Sequence, residues 1–110
     1  MSTARVAQLL AVVVFAAGAW AAVPARAATI QITIDQMTFK QAKVTAKVGD
    51  TIEWINKDVV DHTATDRKGE WNVTLAPGQK GSIVVKKAGA FEYFCKYHPN
   101  MKALLMVKRK

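Results

Sequence analysis

Cysteine is nearly absent from this sequence: Cys95 stands alone among 110 residues. No disulfide can therefore close within the chain. Histidine is almost as scarce, with only His62 and His98. No segment repeats, no stretch is of low complexity, and no apolar spacing marks an amphipathic helix. Those absences exclude a repeat array and a helical bundle. Acidic residues number 8 against 16 basic ones. Such a balance favours acidic partners or an anionic surface. The lysines are spread along the chain rather than stacked in one run, which a solvated basic surface also produces.

The length allows one domain. Residues 1–27 read as a leader rather than as fold. Arg5 is followed by an apolar run from Leu9 to Ala17, then by Pro24 and Ala25-Arg26-Ala27. This is the layout of a secretory signal peptide cut after Ala27. The alternative is an uncleaved anchor, since Val6 to Val23 is nearly apolar for 18 residues, the lower limit for a span. The Ala-x-Ala site favours cleavage, and no twin-arginine pair is present. Only Arg5 and Arg26 of the 16 bases precede residue 28, and all 8 acids follow it. Residues 28–110 thus hold 14 bases, 8 acids and a formal charge of +6. A domain of this size buries a limited core and often needs a staple. With disulfides excluded, a bound metal is one remaining kind.

After the leader the chain alternates. Ile30, Ile32 and Ile34 face one way in TIQITID, and Gln31, Thr33 and Asp35 the other. KVTAKVGD, TIEWIN, HTAT, EWNVTL, GSIVVKK, FEYFC and ALLMVK read as further strands. Gly49-Asp50, Ala76-Pro77-Gly78 and Lys87-Ala88-Gly89 are turn signals. Lys57 to Asp61 and Asp66 to Gly69 read as polar loops. Seven or eight short strands without a helix predict an all-β sandwich or barrel. Met37 and Phe39 read as packing residues, and Trp54 and Trp71 as core or rim aromatics.

Cys95, His98 and Met101 are spaced three apart in FCKYHPNM. A helix would gather them on one side. Pro99 disfavours a helical His98, so Cys95 is expected at a strand end with the other two on the following loop. Thiolate, imidazole and thioether are soft or borderline donors, and thioether suits copper better than zinc. Two histidines and a cysteine with a weak axial methionine make a blue-copper electron-transfer site. His62, 33 residues before Cys95, supplies the second imidazole at the start of the HTAT strand.

These residues resemble the cupredoxin family. The resemblance rests on Cys95, His98 and Met101 as C-x-x-H-x-x-M with Pro99 after the histidine. Upstream it rests on MTFKQAKVTAKVGDTIEWINKD followed by DHT, and it covers nearly all of residues 30 to 108. Within the family the short loop is most similar to the amicyanin branch. The resemblance implies a Greek-key β-sandwich over residues 28–110. It also implies one copper ion cycling between copper(I) and copper(II), with His62, Cys95 and His98 as strong ligands and Met101 as the axial one. The residue after the first ligand histidine is often asparagine in the family, where it ties the two ligand loops. Here it is Thr63, whose hydroxyl can do a similar but weaker job.

The implied function is single-electron transport in the periplasm, between redox proteins with acidic docking surfaces. Lys96 and Lys102 flank the loop for such docking. A monomer with no nucleic-acid partner, and with no membrane contact in the mature form, is expected. A periplasmic copper carrier or copper-tolerance protein would use the same ligands. A metal-free sandwich would leave Cys95 as a small buried hydrophobe and Met101 as a gap filler. A thiol enzyme pairing Cys95 with a histidine leaves Met101 without a role and has little room for a substrate pocket.

Overall fold

The structure is a computed structural model and describes residues 26–110. The expected leader lies outside those residues except for Arg26 and Ala27. The described chain forms nine strands and no helix. They are β1 (Thr29–Asp35), β2 (Thr38–Phe39), β3 (Lys43–Lys47), β4 (Thr51–Asn56), β5 (His62–Asp66), β6 (Asn72–Leu75), β7 (Lys80–Val84), β8 (Gly89–Phe94) and β9 (Lys102–Lys108). Eight match the runs read from the sequence. The ninth, β2, has two residues, too few to show an alternation.

One sheet has the order β2-β1-β4-β7, the other β3-β9-β8-β5-β6. Both are mixed, because β1 pairs with β4 and β3 with β9 in parallel. Parallel partners cannot be joined by a hairpin, so the chain crosses between sheets. Alternation then builds the core. Ile32, Ile34, Ile52 and Trp54 point inward and are fully buried. Each such side chain contributes roughly 1.5–3 kcal/mol on leaving water. Phe39, Trp54, Trp71 and Tyr93 pack together, with ring centroids 4.9–5.6 Å apart. Trp54 Nε1–H donates to the Tyr93 hydroxyl at 3.3 Å. Burial pushes that phenol up to about 12, against the indole bond that lowers it.

Where β7 passes β6, the backbone comes close at Gly81. A Cβ there would lie 2.5 Å from Val73 Cγ1, so no larger residue fits without movement.

Register places the functional end. β1 and β4 finish together, at Ile34 and Asn56. β7 starts beside the end of β4, pairing Lys80 with Ile55. His62 at the start of β5 pairs with Leu75 at the end of β6. The turns at 35–38, 57–61, 76–79 and 95–101 therefore share one end of the sandwich.

Candidate metal centre

β5 carries His62 and is the most unusual strand. All five residues are buried although four are polar. Ala64 joins the core, and the alternation turns Thr63 and Thr65 to the opposite face. They are buried there by a hydrogen-bonded chain. The Lys96 amide donates to Thr63 Oγ1 at 2.9 Å. The Thr63 and Thr65 hydroxyls are 2.9 Å apart, and Thr65 donates to Asn72 Oδ1. Because Thr65 gives its proton to Asn72, the Thr63 proton goes to Thr65. Thr63 thus ties the His62 strand to the Cys95 loop, the job its place in the sequence suggested. Asp66, read as the start of a loop, instead closes β5. It is buried and accepts the Glu70 amide at 3.0 Å.

Cys95 follows β8 directly and is fully buried. The loop after it is closed by its own backbone. Cys95 N–H donates to the Met101 carbonyl at 3.1 Å, and Met101 N–H to the His98 carbonyl at 2.8 Å. The His98 amide donates to the Cys95 carbonyl at 3.3 Å. Three residues spaced three apart are thus drawn together by their backbone without a helix, as Pro99 requires. Met101 is buried, at 4% exposed.

Cys95 Sγ lies 3.7 Å from His62 Nδ1 and 3.6 Å from His98 Nδ1. The three donor atoms lie within 4.8 Å of one another. First-row metal bonds of about 2.0–2.1 Å to nitrogen and 2.3 Å to sulfur, at trigonal to tetrahedral angles, separate N from S by about 3.5–3.8 Å. The observed spacing fits one shared ion of that size. The Thr63 amide donates to the same sulfur at 3.3 Å. The two imidazoles meet edge to face, with centroids 4.9 Å apart. They differ in access: His62 is fully buried and His98 only partly.

Asp58 is the residue the sequence reading missed. Its Oδ2 is 2.8 Å from His62 Nε2. With Nε2–H given to the carboxylate, Nδ1 keeps its lone pair for a metal. Asp58 also accepts the amides of Gln36 at 2.8 Å and Met37 at 2.9 Å. Those residues have φ of 54° and 59°, an unfavourable region for side-chain-bearing residues. They form the two-residue turn between β1 and β2, where a positive φ at both positions matches strand twist. Burial opposes the charged Asp58, but bonds from Met37, His62 and Gln36 outweigh it and hold the carboxyl below its usual range. Met37 consequently does not pack. The turn points it outward and leaves it 43% exposed. An acid four residues before His62, inside a polar loop, was the available signal.

The chain matches the family described as a Cupredoxin-like domain over residues 8–107. This chain is a cupredoxin. It is 32% identical to amicyanin of Paracoccus versutus over 92 residues, covering 78% of this chain and 68% of that protein. It is 30% identical to amicyanin-alpha of Methylorubrum extorquens, covering 96% and 94%. Among solved structures, a copper(I) form of an amicyanin variant superposes with a TM-score of 0.65 at 29% identity, covering 80% of this cupredoxin and 88% of that chain. The family resemblance read from the sequence therefore holds, and the donor set fits one copper ion.

Proposed function

We propose that this cupredoxin carries single electrons through one copper held by His62, Cys95 and His98, with Met101 as the weak axial ligand. The observation that carries the proposal is the pair of sulfur–nitrogen spacings, 3.7 and 3.6 Å, in a largely buried cluster. Bound copper supplies a centre that gains and loses one electron. The chain's part is to keep the cluster still. Asp58 orients His62, the Thr63 amide and hydroxyl fix Cys95 and its loop, and the backbone bonds of that loop fix His98 and Met101. Ligands held this way rearrange little when charge changes, which lowers the barrier to transfer.

His98, the more exposed imidazole, is the electron port. Met37, Val59, Val60 and Tyr97 are exposed large apolar residues, and all lie on the turns of this end. They make this end partly apolar, and the exposed Lys96 and Lys102 add positive charge. This surface suits redox proteins with acidic docking faces, and association should weaken with salt. The working form is a monomer and not an enzyme.

The chain is exported to the periplasm and cut after Ala27. Ala28 N lies 2.9 Å from Asp50 Oδ1, so cleavage would set a new ammonium against a buried carboxylate.

Voltammetry of the copper-loaded protein tests the proposal. One reversible one-electron wave is expected, with copper retained through repeated cycles. Met101→Leu should keep the colour and shift the potential; an unchanged potential would remove Met101 from the ligand set. Copper lost to a partner or chelator at each reduction would replace the electron carrier with a copper carrier.

A further inference from the structure

The fold gathers cations that the sequence spreads over three segments. At the end opposite the ligands, the Val48 amide donates to the Lys108 carbonyl at 2.9 Å, and the Gly49 amide to the Val85 carbonyl at 2.8 Å. Lys110 Cε lies 3.4 Å from the position a Gly49 Cβ would take. Lys47, Lys86, Lys87, Lys108, Arg109 and Lys110 thus crown one end, and all six are exposed. Their local acids compensate little. Asp50 is buried and engaged by the Ala28 and Lys47 amides, each at 2.9 Å. Glu70 pairs with Lys87 alone, at 3.0 Å. At the ligand end the balance is closer, with Asp35, Asp58 and Asp61 against Lys57, Lys80, Lys96 and Lys102.

The chain leaves the fold N-terminally through this same basic end. The Ala28 carbonyl accepts the Thr51 amide at 2.9 Å, and Arg26 and the apolar run of residues 6–23 precede it. We propose that this end rests on an anionic phospholipid bilayer, leaving the ligand end turned outward. The proposal rests on reading residues 1–27 as a membrane-directed leader: until the cut after Ala27 the chain is joined to that leader at this face, and not at the ligand face, and after the cut the basic crown alone keeps the contact. It is a peripheral contact, and no helix of the described residues is long and apolar enough to cross a membrane. It departs from the sequence expectation of a mature form without membrane contact, since separate lysines give no patch until β3, β7 and β9 end together. Each cation near an anionic surface strengthens partitioning about fivefold. The contact decays over about 8 Å at physiological salt.

The exported protein is mixed with sedimentable vesicles of phosphatidylcholine alone, or with equal parts of phosphatidylglycerol. All nine strands lie in residues 29–108, so processing leaves the fold intact. Binding is expected to the anionic vesicles only and to fall as salt rises. Lys86→Gln with Lys108→Gln should weaken it about thirtyfold. Lys57→Gln with Lys80→Gln should leave it within about twofold. Equal losses in both pairs, or no preference for anionic vesicles, would overturn the proposal. So would binding to polyglutamate without binding to vesicles, which would assign the end to an acidic macromolecule. Copper takes no part in the assay, so its failure leaves the redox reading standing. A failure of the leader reading would show separately, as unprocessed protein retained inside the cell.

Discussion

Replacing Thr63 by valine tests how the two ligand segments are joined. Valine keeps the shape and the β preference of threonine but loses the hydroxyl. Two hydrogen bonds go with it, the one accepted from Lys96 N–H and the one shared with Thr65. Thr65 keeps its bond to Asn72, so its oxygen is not stranded. The Lys96 amide loses its partner at a part-buried position. A lost hydrogen bond of this kind costs about 0.5–1.5 kcal/mol. For a domain of this size that lowers the melting temperature by roughly 2–12 °C. The blue colour should survive, because the Thr63 backbone amide still reaches Cys95 Sγ. Thermal unfolding of the copper-loaded protein, followed in the visible and the far ultraviolet, reads both quantities. Thr63→Ser should retain most of the stability. Thr74→Val, an exposed position paired with Thr63 in register, should change stability by less than about 0.5 kcal/mol. A Thr63→Val protein as stable as the Thr74→Val control would refute the tie.

Asp58→Ala frees the His62 ring and releases the amides of a turn held at positive φ, so copper affinity should fall about 10–100-fold. Competition against a chelator measures it, and an unchanged affinity would show that Asp58 does not orient the ligand. Asp50 gives a pH prediction. Bonds from the Ala28 and Lys47 amides hold its carboxyl below the ordinary value of about 3.8. Its stabilisation is therefore complete above that value and is lost as pH falls through the lower folded value. Asp50→Asn should be less stable than the parent at pH 7, and the gap should close on acidification. Urea unfolding at neutral and acidic pH checks this, and a constant gap would argue against the carboxylate.

The strands were legible because their pattern is simple. Isoleucines at every second position in β1, and Ile52 with Trp54 in β4, leave little choice of face. β5 was legible as a strand but not as a buried one. Threonines read as surface residues until Lys96, Asn72 and the Cys95 loop cover them. The cluster of Cys95 with two histidines was legible because those donor types are scarce: the chain has one cysteine, and both of its histidines belong to the cluster. Asp58 was not, since its role needs the β1–β2 turn and His62 brought to the same carboxylate. Met37 misled for the same reason, as its apolar side chain is turned out by a backbone conformation that spacing does not reveal. The basic end was equally hidden, because its cations come from three separate segments.

Cys95 is expected to share one ion with His62 and His98. Titrating the metal-free protein with copper(II) while recording the visible spectrum checks this. An intense band should grow to one equivalent and stop there, and Cys95→Ser should abolish it without unfolding the protein. A colourless complex, or a band that survives Cys95→Ser, would contradict it.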